Sequence, residues 1–122
     1  MTQKQMIDII PTIQKLVGTN LPVKQAYAIF RLAKEIDEQK DFFITSEKKL
    51  IEKYNGTVDE NGRITFENSN NFAPFAQEYE DLNNLEVEIK ESLPIVIKLD
   101  EISGGKLTPT DFFNLDGIIN FE

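Results

Sequence analysis

Between Leu21 and Asn55 the chain holds a single proline, Pro22 at its start, and no glycine. Within that stretch Ile29, Ile36, Phe43 and Leu50 recur every seven residues, and Ala26, Ala33 and Tyr54 fill the four-residue offset. The pattern predicts one long helix with an apolar stripe. Pro22 suits a first helical turn because that turn has no use for its missing N–H, and Asn55-Gly56 suits a left-handed stop. At ~1.5 Å per residue such a helix runs on the order of 50 Å, more than a small domain needs to cover its own core.

The face of this helix changes along its length. Val23, Ala26, Tyr27, Ile29, Phe30, Leu32, Ala33 and Ile36 make a first half wide enough for more than one neighbour. From Asp37 the stripe thins, with Lys40 and Glu47 where apolar residues would continue it, so the distal half is free to project. Phe42, Phe43, Leu50, Ile51 and Tyr54 are the apolar residues such a projection would present.

Around this element the rest of the chain reads as an α+β fold. Met6, Ile9, Ile10, Ile13, Leu16 and Val17 stand at helical spacing, predicting an N-terminal helix over Lys4–Val17, kinked or restarted at Pro11, with a short strand at Met6–Ile10 as the competing reading. The short link Gly18–Leu21 folds it back on the long helix as a hairpin. After Gly56, Thr57-Val58 and Arg63–Phe66 flank Asp59-Glu60-Asn61-Gly62, a β-hairpin with its turn at Asn61-Gly62. Phe72–Leu82 predicts a short helix capped by Asn70 or Asn71, with Pro74 tolerated in its first turn. Leu85, Val87 and Ile89 alternate with charged residues, and Ile95, Ile97 and Leu99 repeat the alternation after Pro94; two strands pairing antiparallel are the simplest outcome. Ser103-Gly104-Gly105 is a flexible turn, and Thr108-Pro109-Thr110-Asp111 opens a last helix, followed by the apolar tail Ile118, Ile119 and Phe121. A chain of 122 residues makes one domain, here a helical hairpin over 1–56 and an acidic α+β portion over 57–122.

Composition excludes several chemistries. With no cysteine there are no disulfides, thiolate metal sites or cysteine nucleophiles, and with no histidine the commonest general base and zinc ligand are absent. No apolar run approaches the roughly 20 residues that span a bilayer, and Pro11 interrupts the apolar segment nearest the N-terminus, so neither anchor nor secretion signal is expected and the protein reads as soluble and intracellular. The net charge of −8 is unevenly placed: residues 1–56 hold nine Lys/Arg against seven Asp/Glu, and residues 57–122 hold four against fourteen. The second half, at −10, repels phosphate backbones and anionic membranes and favours basic protein partners.

Four motif-like features have simpler readings. Thr57–Asn68 places Asp59, Asn61 and Gly62 as in a calcium loop, but Thr57 and Asn68 replace its strongest oxygen ligands, and a hairpin turn requires the same residues. Gly104-Gly105-Lys106 resembles the end of a phosphate loop, yet Asp100 and Leu107 occupy positions that need Gly and Ser or Thr. Glu86, Glu88, Asp100 and Glu101 offer carboxylates for Mg²⁺ or for a glycosidase pair, whereas a solvated strand face accounts for Glu86 and Glu88 without either. Lysines along the long helix are interleaved with acids, which cancels the field a nucleic-acid groove would need.

Ile13–Leu16, Leu21–Tyr27, Lys49–Tyr54, the Asp59–Gly62 turn, Leu85–Ile89 and Leu107–Asp111, in that order, resemble a family of small uncharacterised phage and prophage proteins of Gram-positive bacteria. The pieces cover most of the chain, and none is catalytic. The chain departs from the family at Asp41-Phe42-Phe43-Ile44, where polar residues are usual. The resemblance implies a phage setting near tail and lysis genes, in the host cytoplasm during infection or on the virion, and carries no functional residues, cofactor or metal with it.

Two functional expectations follow. In the first, a non-enzymatic minor virion or assembly component presents Phe42, Phe43, Leu50, Ile51 and Tyr54 to a copy of itself or to a larger protein, with no direct nucleic acid or membrane contact. In the second, an acidic inhibitor places carboxylates such as Glu86, Glu88, Asp100 and Glu101 in the nucleic-acid groove of a host defence or regulatory protein.

Overall fold

The computed structural model describes residues 1–103 and 106–122 of the chain. Its elements are α1 (Gln3–Val17), α2 (Val23–Lys53), β1 (Gly56–Val58), β2 (Ile64–Phe66), α3 (Phe72–Asn84), β3 (Ile95–Ile97), α4 (Pro109–Asn114) and β4 (Ile119–Phe121). This is the expected α+β architecture. The glycines of the expected Ser103-Gly104-Gly105 turn, and of the phosphate-loop resemblance, lie outside the described residues.

α1 begins on a reciprocal cap: the Thr2 hydroxyl accepts from Gln5 N at 3.2 Å, and Gln5 Oε1 accepts from Thr2 N at 2.8 Å. It is one uninterrupted helix through Pro11. Pro11 falls on the exposed side, where a carbonyl without its partner can be hydrated, while Met6, Ile9, Ile13 and Leu16 on the buried side hold both halves in register. α2 is likewise unbroken over 31 residues, about 46 Å by helical rise. Pro22 stands just before it instead of in its first turn, and Asn55 alone takes the left-handed stop, at φ 54°. Gly56 then enters β1 for a different reason: a Cβ there would lie 2.9 Å from the Phe66 ring and 3.2 Å from Ile64 Cγ2.

The hairpin forms as expected, with Gly56 opposite Phe66 and Val58 opposite Ile64. Asp59 Oδ1 accepts from the backbone N–H of Asn61 and of Arg63, each at 2.9 Å, and Gly62 supplies φ 78°. The carboxylate that would have begun a calcium site is thus committed to the turn. Ahead of α3, Asn68 caps a short 3₁₀ turn over Ser69–Asn71 through Asn70 N, whereas Asn71 donates its side-chain amide to the Tyr54 carbonyl at 3.0 Å.

The expected antiparallel pair does not form. Leu85–Ile89 instead runs beside the start of α1, with Gln3 N donating to the Leu85 carbonyl and Val87 N to the Met1 carbonyl, both at 2.8 Å. Ile95–Ile97 pairs with the C-terminal residues Ile119–Phe121, in parallel, register Ile95 to Ile119. The alternation matches burial only in part: Val87, Ile95 and Ile97 are buried and Glu86, Glu88 and Val96 are exposed, but Leu85 and Leu99, expected on the buried face, are exposed too, at 47% and 52%. Alternation, however, carries no information about the partner. The segment after β3 passes through α4 and returns alongside, as a parallel pair requires.

Two apolar layers result. Met6, Ile9, Ile13 and Leu16 of α1 meet Ile29, Leu32 and Ile36 of α2, closed by Ile95, Ile97, Leu115 and Ile119. Along the distal half of α2 an aromatic cluster takes over, with Phe66 and Phe75 centroids at 5.0 Å, Phe75 and Tyr79 stacked at 5.5 Å, and Phe43 edge-on to Tyr79 at 6.3 Å. The distal half therefore does not project; α3 and the hairpin run beside it.

Candidate protein interface

The five distal residues separate into two groups. Phe43 is buried against Tyr79, Tyr54 packs edge-on to Phe75 at 6.3 Å, and Ile51 lies under Gly56. These three turn inward, so they belong to the α2–α3 packing and not to an outward face. Phe42 remains 51% exposed, and Leu50 is half-buried beside it. With Leu82 and Leu85 from the end of α3, these two line a groove of about 360 Å³ edged by Lys49 and Asp81.

Polar clasps join α2 to α3 on both edges. Glu78 accepts from the Tyr54 hydroxyl and from Lys53 Nζ, the latter at 3.0 Å, while Tyr79 donates to Glu47 at 2.7 Å. The Tyr54 hydrogen bond, then that of Lys53, holds the Glu78 carboxyl below its usual range. The same carboxylate raises Lys53 and Tyr54. Tyr79 is pushed up to about 12, first by burial and then by its bond to Glu47. All these shifts favour the protonation states that join α2 to α3, and none produces a base or nucleophile poised near neutrality.

The opposite edge of α2 holds what the distal prediction missed. Here α1 and α2, joined at the distal end by Tyr79 and Asn83 of α3, leave a seam made of two grooves, about 430 and 630 Å³, that share Ile10 and Lys40. Val17 and Phe30 stand on its rim at 58% and 57% exposed, Tyr27 stacks on Phe30 at 6.3 Å, and Ile44 lies further along. The signal was in the sequence: the first half of α2 is apolar over more than one face, and α1 and β3 cover only the part carrying Ile29, Leu32 and Ile36.

Glu86, Glu88, Asp100 and Glu101 are all exposed. Glu86 bridges to Thr2 at the start of α1, whereas Asp100 and Glu101 lead to Ser103, which bridges to Asn20 beyond the end of α1. The 15-residue helix between sets these ends about 20 Å apart, too far for one metal ion or a glycosidase pair. Among the described residues no group of three or more Asp or Glu is arranged to hold a metal ion, and no helix is long and apolar enough to cross a membrane.

Comparison with known proteins adds no relative: no family model matches the sequence, and no curated protein and no solved structure matches the chain.

Proposed function

We propose that this chain is a non-enzymatic bacteriophage protein that acts by protein–protein contact, as a minor virion or assembly component, in the host cytoplasm during infection or on the virion. One observation carries the contact reading: α2 is rigidly held by a filled apolar stripe and still leaves large apolar side chains bare on both edges, Phe42 on one and Phe30 on the other. Surface that the fold does not consume is the usual mark of a binding site. The phage setting rests on the resemblance of the chain's short motifs, in their order, to a family of phage and prophage proteins. The contact runs through the exposed Phe42 and Leu85 and the half-buried Leu50, with buried Leu82 lining the groove, an apolar patch with a charged rim of the kind that anchors partners. Capture from infected-cell lysate tests it: tail or capsid proteins retained by the wild type and released by Phe42→Asp are the expected result. Equal retention by that variant sinks the use of this edge.

A second reading is favoured by the −10 balance of residues 57–122 and by the exposure of Glu86, Glu88, Asp100 and Glu101. In it, those carboxylates replace phosphates in a nucleic-acid groove of a host protein. A nuclease or DNA-binding protein recovered in a complex that dissolves with salt and is indifferent to Phe42→Asp would select this reading over the first.

A further inference from the structure

The seam between α1 and α2 carries a partner assignment of its own, resting on the contact reading above but using the other edge of the long helix. We infer that its occupant is a second copy of this chain, laid seam to seam about a two-fold axis so that the two helical hairpins close into a four-helix bundle.

Charge supplies the first argument. A protein of net charge −8 repels its own copy over most approaches. The seam is the exception: the charged residues lining its two grooves are Lys4, Lys34 and Lys40 against Asp8, Asp37 and Glu47, an even balance, with Asp37 and Lys40 already paired at 3.0 Å. Of residues 57–122 only the uncharged Tyr79 and Asn83 reach its lining, so none of the acidic side chains of the −10 half lines it. A basic partner would gain nothing there, and a nucleic acid would find no net positive field. Two copies can meet on this face without like-charge repulsion.

Area supplies the second. Val23 at 86% and Tyr27 at 58% exposed continue the strip begun by Val17 and Phe30, spaced four and seven residues along one side of α2, and Ile44 extends it distally. On a scale of about 200 Å² for an aromatic side chain, the bare parts of these five come to roughly 500 Å². That is at the upper end of what a monomer leaves exposed, and the polar rim brings it near the ~800 Å² per partner that a specific pair buries. Because an isologous contact places the same patch on both sides, the Phe30 edge of one copy roofs the grooves of the other.

Light scattering on the full chain across a concentration range tests the inference, with Phe30→Asp and Tyr27→Lys on the seam and Val58→Asp as the control, an exposed β1 residue that lines none of these grooves. The expected result is a dimer that each seam variant weakens at least tenfold, that the control leaves unchanged, and whose seam variants keep the wild-type circular dichroism spectrum. Should Phe30→Asp fail to fold, Tyr27→Lys carries the test. A monomer at every concentration, or a dimer indifferent to both seam variants, overturns the inference. The two readings fail separately: a monomer that still captures tail or capsid proteins through Phe42 refutes only the second copy, and a seam-dependent dimer that captures nothing refutes only the larger partner.

Discussion

The carboxylate of Asp111 lies 2.8 Å from the Lys15 ammonium, 96 residues away in sequence, and is itself buried. Thr108 N donates to the same oxygen, Oδ2, at 2.8 Å, and the other, Oδ1, accepts from the Thr12 hydroxyl at 3.1 Å, so one side chain both caps α4 and pins it to α1. The Lys15 hydrogen bond first, then that of Thr108 N, lowers its carboxyl to about 2.

Because that carboxyl is lowered on folding, its contribution is complete above the ordinary carboxylate range and is lost as pH falls through about 2. Asp111→Asn should therefore melt several degrees below the wild type at neutral pH, with the gap closing as pH falls from about 4 towards 2. Thermal melts followed by circular dichroism over that range check it. A constant gap would show that the charge is not what binds α4 to α1.

Tyr79 works in the opposite direction. Its phenol is raised to about 12, so the stabilisation from its neutral form is complete below the ordinary phenol value and is lost as pH rises through about 12. Tyr79→Phe keeps the ring stacked on Phe75 but drops the bond to Glu47, and should cost about 1–2 kcal/mol at neutral pH. Urea unfolding gives that cost. Ultraviolet titration of tyrosinate should lose its most alkaline step in the variant.

Two glycines should fail for unlike reasons. Gly56→Ala drives a methyl group to 2.9 Å from the Phe66 ring and should cost about 1–3 kcal/mol through overpacking. Gly62→Ala meets nothing within 4 Å but holds φ 78°, a conformation that costs an alanine about 1 kcal/mol. Chemical denaturation of both, with an added Phe66→Leu to make room, should rescue the first and leave the second unchanged.

The division of α2 into a structural stripe and a bare edge is tested by truncation. Leu32→Ala removes a side chain with no exposure and should cost about 2–5 kcal/mol, as should Ile97→Ala in β3. Phe42→Ala, half in solvent, should stay within about 1 kcal/mol. Equal losses at Leu32 and Phe42 would mean that the Phe42 edge belongs to the core and leave it no part in binding.

What the sequence by itself determined is everything whose cause lies within a few residues. The unbroken α2 follows from the absence of Gly and Pro after Pro22; its stop follows from the tolerance of Asn55 for a left-handed turn; the hairpin follows from Asp59 and Gly62; and α4 follows from Thr108-Pro109 with Asp111. The depth of Val87, Ile95 and Ile97 also follows from period-two alternation, although Leu85 and Leu99 at the ends of the same runs stand in solvent.

Tertiary structure decided which surfaces meet. The alternation of Ile95–Ile97 is satisfied equally by a strand on either side and in either direction, and the choice of Ile119–Phe121 depends on where α4 returns the chain. Likewise an apolar stripe attracts any apolar neighbour, so whether Phe43 and Tyr54 or Phe42 and Phe30 stayed bare depended on where α3 and α1 came to rest. Local preferences are set by bonds a few atoms apart, whereas these choices are differences between large burial energies summed over the whole molecule, and no short stretch of sequence contains both sides of that difference.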